Sequence, residues 1–373
     1  MSAILEKRSL RDFDWLLTLL AIAIVCFGVL QIRNAQPLEN YWEKQLIGLG
    51  IALIVMLAIA FTDYRKLVDA APIFYGVGLF LLIIVLIPNV GMRINGQQAW
   101  IKVPFIGQFQ PSEFVKIPVV LMLAKYFGGK RVGTLTIREM ALGIGILAAP
   151  LGLILLEPDA GQAITYFPLL AAVFFLSAIR MRLVLAVILL GVVGIPLAWV
   201  IGTQTGVIKS YQIARVEAIL DPENVDPRGF GYQTVQSIVS VGKGGLNGSE
   251  SDPEFSQSAL KFLPEPHTDF IFAVTAENTG FVGCIALLLA YIFLISRLLN
   301  IARQSPDRVG MLVIMAFAAA MTFQIFMNVG MTVGLLPVIG VPLPLMSAGL
   351  SAILATFIAI GFAVSVRMRR FVN

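Results

Sequence analysis

Charge is scarce in this chain: only 13% of its 373 positions are Asp, Glu, Lys or Arg, against roughly 25% in an average soluble domain. Hydrophobic residues fill 58% of it, and a fold of that composition would be hard to keep dispersed in water. The single histidine, His267, has nothing beside it that suggests a catalytic triad. Cys26 and Cys284 lie in separate apolar stretches and read as small packing residues, so neither a bridge nor a redox role follows. The GxxxxGK[ST] loop of nucleotide hydrolysis is missing, as are diagnostic metal-ligand spacings, short-period repeats and low-complexity tracts.

What the chain does have is apolar blocks of about 17–25 nearly charge-free residues, the length of helix that crosses a hydrocarbon core of roughly 30 Å. Backbone groups in lipid must be satisfied within the segment, so these blocks are expected to be helices. The spacing predicts an all-α integral membrane protein of about ten transmembrane helices, folded as one polytopic domain over residues 1–373. The expected spans are Trp15 to Ile32, Gln45 to Phe61, Pro72 to Pro88, Ser112 to Phe127 and Met140 to Leu156. Gly161 to Ala178, Leu183 to Ile201, Asp269 to Ile295, Gly310 to Val329 and Ser347 to Val366 complete the set. A basic leader (Lys7, Arg8, Arg11) with no small-residue cleavage site after it reads as a retained anchor.

Lys and Arg cluster in alternate loops, at Arg65 and Lys66, Lys130 and Arg131, Arg180 and Arg182, Arg297 to Arg308, and Arg367 to Arg370. Cytoplasmic loops retain positive charge, so both termini are expected in the cytoplasm. The formal charge of +5 is then a topology signal, not a nucleic-acid footprint.

The unusual polar residues fall on the other side. Asn89 to Gln110 carries Arg93, Trp100 and Lys102 and leads into a helix start where Glu113 and Lys116 share a face. Glu157-Pro158-Asp159 makes a tight acidic turn. The long extracytoplasmic loop over residues 202–268, between helices 7 and 8, contains two helix-like stretches, Tyr211 to Leu220 and Gly231 to Val241, expected to lie along the membrane surface. Its glycine cluster, Val241 to Gly245, reads as a flexible turn or, less simply, as a phosphate cradle. Where the loop meets the next helix, His267 and Asp269 follow two prolines, Pro264 and Pro266, and Glu277 is an ionisable group inside an apolar helix, a functional candidate by position. A Gly- and Pro-rich stretch, Asn328 to Leu345, is expected to fold back over the bundle as a cavity wall.

Taken together, Trp100-Ile101, Gln110 to Lys116, Glu157-Pro158-Asp159-Ala160-Gly161, Asp221-Pro222 with Gly231-Tyr232-Gln233, Gln236-Ser237, Leu263 to Val274, Asn328 to Met331 and Pro342-Leu343-Pro344 resemble the SEDS family (shape, elongation, division and sporulation proteins) over nearly the whole chain. Gly340 to Pro344 and Gln257-Ser258 are more similar to its elongation branch than to its division branch. The chain departs from the family pattern at Ser347 to Ala352 and at Ala160 and Gln162.

The resemblance implies a peptidoglycan glycosyltransferase of the bacterial cytoplasmic membrane that polymerises lipid II at its outer face. The implied partners are a class B penicillin-binding protein transpeptidase and other elongation-complex membrane proteins. Asp269 matches the family position that carries catalysis and becomes the expected general base; on its residues alone it reads first as a helix cap. Trp100, Lys102, Glu113, Lys116, Glu157, Asp159, Arg215, His267, Glu277 and Ser347 are the expected substrate-binding residues. Trp100 equally suits an interfacial aromatic belt, and the acidic pairs equally suit structural roles. No cofactor is required, although a divalent cation (Mg or Mn) beside a pyrophosphate fits the chemistry. Two other functions stay open: a lipid II flippase or transporter, and a non-catalytic scaffold for the transpeptidase.

Overall fold

The computed structural model describes residues 12–94, 96–103, 107–130, 135–177, 202–204, 213, 230–249, 262–263 and 265–370. The expected span over 183–201, the expected helix over 211–220 apart from residue 213, and Arg215 lie outside them.

The chain is mostly helical. Its elements run α1 (Trp15–Ala35), α2 (Tyr41–Phe61), α3 (Tyr64–Asp69), α4 (Ala71–Val85), β1 (Gly91–Ile94), β2 (Gln97–Val103), β3 (Gly107–Phe109), α5 (Pro111–Gly128), α6 (Ile137–Leu156), α7 (Ala160–Ile164), α8 (Phe167–Leu176), α9 (Phe230–Lys243), α10 (Ile271–Arg303), α11 (Arg308–Thr332) and α12 (Leu350–Met368). Among the described residues, six helices are long and apolar enough to cross a membrane: α1, α2, α6, α10, α11 and α12. The helix α5 has the length, but Glu113, Lys116 and Lys125 raise its charge. The span expected over 161–178 is broken instead into α7 and α8, where Pro168 opens the second helix and the Tyr166 hydroxyl donates to the Ser112 carbonyl at 2.6 Å.

One end of the bundle is knit by charge. Asp14 caps α1 by accepting the Leu17 amide at 3.0 Å, and it is gripped by Arg297 of α10 at 2.8 Å and by Arg367 of α12. Asp307 caps α11 and takes Arg65 at 2.9 Å. Outward faces are apolar, with Ile54, Phe80, Phe281 and Ile292 all exposed. Lipid tails are as apolar as such side chains, so close packing and buried polar contacts must hold the helices together. One example is the Tyr291 hydroxyl, which donates to the Pro344 carbonyl at 2.5 Å.

Three features correct or add to the sequence expectations. The segment expected as a loop between α4 and α5 is a three-stranded antiparallel sheet in the order β1-β2-β3, so the fold is not purely helical. Ile94 pairs with Gln97 across the β1–β2 hairpin, and Gly96 has φ +83°, the left-handed region that tight hairpin turns need.

The second concerns α9, the helix expected over 231–241 along the membrane surface and found over 230–243. Its small polar face, Thr234, Ser237 and Ser240, is buried, Ser237 donating to the Thr332 carbonyl at 2.7 Å, while Val235, Ile238 and Val239 are exposed.

The third is a break in α10 at Gly280, with φ 65° and ψ −166°. The chain after α9 docks into this break: the Gly245 and Leu246 carbonyls accept the Phe281 and Val282 amides at 2.9 and 3.1 Å, and the Ser249 amide donates to the Glu277 carbonyl at 2.8 Å. The glycine cluster is therefore neither a free turn nor a phosphate cradle. It lets two backbones touch, since a Cβ on Gly244 would meet the Ala276 carbonyl oxygen at 1.8 Å.

Candidate functional site

At the end opposite the arginine cluster, two groups of polar residues share a wall. The first is built on the start of α5 and the turn between α6 and α7. Lys116 pairs with Glu113 one helical turn away at 3.0 Å, and Gln162 donates to the other Glu113 oxygen at 2.5 Å. Asp159 caps α7 by accepting the Gln162 amide at 3.0 Å and takes the Gln110 side chain at 2.9 Å. Glu113, Lys116, Glu157 and Asp159 are all buried.

Both Glu157 carboxylate oxygens are buried with no hydrogen-bond partner. Burial, and then the neighbouring Asp159, push its pKa up to about 9, so it is a neutral acid at physiological pH. Burial likewise lifts Asp159 to about 6.

The second group is the entry to α10. The His267 ring is buried and stacked on Tyr41 with centroids 4.1 Å apart. Burial lowers its pKa, so the imidazole is neutral. Asp269 is half-buried and lies two residues before the first residue of α10, where a helix N-terminus favours a carboxylate. Its backbone carbonyl accepts Asn328 Nδ2 at 2.9 Å, and the Ser347 hydroxyl donates to the Thr268 carbonyl at 2.6 Å.

The stretch over 334–345 folds back as the wall between the two groups. Gly340 has φ +71°, and a Cβ there would stand 3.4 Å from Asp269 Oδ2; a Cβ on Gly161 would press on the Ile339 and Gly340 carbonyl oxygens. The Gln110 amide also donates to Ser351 Oγ at 2.9 Å, which ties the start of α5 to the start of α12.

The remaining expected residues are placed elsewhere. Trp100 and Lys102 stand on β2, half-buried and exposed respectively. Glu277 is buried eight residues after Asp269, just before the α10 break, and pairs with Lys243 of α9 at 3.2 Å. Among the described residues, no three His, Cys, Asp or Glu side chains are arranged to hold a metal ion.

Sequence reasoning missed Gln45, Gln110, Gln162 and Asn328 as site residues. The available signal was an amide side chain at the edge of an apolar span, where a polar group needs a partner.

An apolar groove of about 310 Å³ runs along the flank between α4 and α5, with Phe74, Gly78, Phe114, Pro118, Ile358 and Phe362 in its lining.

Membrane-length apolar helices around a buried polar site at one end define a polytopic membrane protein. The chain belongs to the FtsW/RodA/SpoVE family of cell cycle proteins, which matches residues 12–371. It is 34% identical to peptidoglycan glycosyltransferase MrdB of Escherichia coli (strain K12), covering 96% of this chain and 94% of that one. It is 32% identical to stage V sporulation protein E of Bacillus subtilis (strain 168), over 95% and 96%. Among solved structures it is similar to a chain of the work described as "Structural coordination of polymerization and crosslinking by a peptidoglycan synthase complex", with TM-score 0.81, 32% identity and 97% and 99% of the two chains covered. The Thermus thermophilus rod shape determining protein RodA gives TM-score 0.70 at 29% identity, over 97% and 98%.

Proposed function

We propose that this chain is a peptidoglycan glycosyltransferase that polymerises lipid II at the outer face of the bacterial cytoplasmic membrane during elongation, with Asp269 as general base. Ten spans, cytoplasmic termini and an external loop over 202–268 fit this reading. They are supported by the arginines gathered at the end away from Asp269, since positive charge is retained inside.

In the reaction, Asp269 takes the proton of the acceptor sugar's 4-hydroxyl. The oxygen attacks the donor's anomeric carbon with inversion, and the bond to the polyprenyl diphosphate breaks with its electron pair leaving on phosphate. Lys102, exposed on β2, and Lys116 are the described cations suited to the departing diphosphate. The groove between α4 and α5 suits the polyprenyl chain. A class B penicillin-binding protein transpeptidase, together with other elongation-complex membrane proteins, is the proposed partner, supported by the similarity to a chain of a peptidoglycan synthase complex.

The observation that carries this reading is the Asp269 carboxylate beside the Gly340 wall, the same wall that Gly161, two residues after Asp159, approaches from the other side. The test is reconstitution with the transpeptidase in lipid vesicles containing lipid II, where wild type makes glycan polymer and Asp269→Ala makes essentially none.

The α10 break and the buried Glu277 favour a second reading, a lipid II transporter, because broken helices accompany transport sites. It prevails if Asp269→Ala polymerises normally while lipid II crossing depends on this protein.

A further inference from the structure

Three consecutive backbone carbonyls at the entry to α10 are each taken by a separate donor. The Ala348 amide donates to His267 O at 2.8 Å, Ser347 Oγ donates to Thr268 O at 2.6 Å, and Asn328 Nδ2 donates to Asp269 O at 2.9 Å. The helix's own ladder starts only afterwards, with the Val274 amide on Phe270 O at 3.1 Å.

The Thr268 carbonyl lies in the peptide plane before the Asp269 Cα, and the Asp269 carbonyl lies in the plane after it. Holding both planes fixes both backbone torsions of Asp269 and leaves its carboxylate only side-chain freedom.

The donors are themselves committed. Ser347 Oγ also accepts the Leu343 amide at 2.8 Å, so its one hydrogen cannot serve a sugar without releasing Thr268. Asn328 Nδ2 also donates to Val341 O at 2.8 Å, which sets Asp269 in register with the wall that includes Gly340. Gln45 of α2 holds the donor turn from both sides, donating to Ser347 O at 3.0 Å and accepting the Gly349 amide at 3.1 Å. Gln45, Asn328 and Ser347 are all buried.

From this geometry we infer that Asn328 and Ser347 are positioning residues for the Asp269 carboxylate, with Gln45 bracing the turn that carries Ser347. The inference rests on the reading of Asp269 as base, and it moves Ser347 from the expected substrate-binding set to a supporting role. Catalytic groups must be held within about 0.5 Å of their productive position, and a displacement of about 1 Å can cost on the order of 100-fold in rate.

The test is steady-state polymerisation of lipid II by the full chain with its transpeptidase in vesicles, with turnover normalised to folded complex. Ser347→Ala and Asn328→Leu are each expected to lower kcat of the folded complex at least about tenfold, with KM for lipid II close to wild type. Unchanged kcat in Ser347→Ala overturns the inference, and so does a raised KM with kcat retained, which would return Ser347 to substrate contact. If Asn328→Leu fails to accumulate, Ser347→Ala decides alone. Asp269→Ala runs in parallel: if it is inactive while the other variants are normal, only the positioning role fails, and if it is active, the base assignment fails as well.

Discussion

Gly161 and Ile339 approach so closely that a Cβ on Gly161 would stand 2.3 Å from the Ile339 carbonyl oxygen. Backbone occupies that space, so Gly161→Ala must push the 339–340 wall away from the α6–α7 turn, and that wall borders the Asp269 carboxylate. The expected outcome is a chain that still inserts in the membrane but polymerises at least about tenfold more slowly, since small misplacements carry large rate costs. Glycan yield per inserted protein checks it.

The Glu113–Lys116 pair, 3.0 Å apart and buried on both sides, predicts a non-additive pattern. Removing one partner leaves an uncompensated buried charge, at a cost of about 3–5 kcal/mol, whereas replacing both with apolar or neutral groups is far milder. Thermal unfolding in detergent is expected to rank Glu113→Gln and Lys116→Met, taken singly, below the double variant. Additive single losses would show that the two buried charges are not energetically coupled.

Glu157 predicts a pH dependence of stability. Its folded pKa is raised from 4.5 to about 9; between those values the folded protein keeps a proton that the unfolded chain releases. Stability therefore falls as pH rises through that window, by at most about 1.4 kcal/mol per pH unit from this group, and levels off above it. Glu157→Gln removes the loss. Its thermal midpoint is expected to match wild type near pH 5 and to exceed it near pH 8; an equal offset at both would contradict the buried neutral acid.

Much of this fold is legible in the sequence, because a lipid-spanning helix must be an unbroken apolar run. The first span, expected over 15–32, is found over 15–35. Legibility ends where structure depends on a distant partner. The break at Gly280 looks in sequence like any glycine in an apolar run, and only the chain at 244–249, some thirty residues earlier, makes the break stable. The sheet was signalled by Asn95-Gly96, but its strands are too short to stand out from a polar loop. In the site, Asp269, Glu113, Lys116 and Asp159 are visible because ionisable groups beside apolar spans are expensive. Gln45 and Asn328 carry no charge and pass as span residues, and their meaning appears only when three carbonyls are found waiting for donors.

The assignment of chemistry to the Asp269 carboxylate is tested most directly by Asp269→Asn, which keeps the shape and removes the base. Polymerisation of lipid II by the vesicle-reconstituted complex is predicted to fall by about 10²- to 10⁴-fold, with lipid II still bound and the fold intact. Polymer made at close to the wild-type rate by that variant would contradict the account.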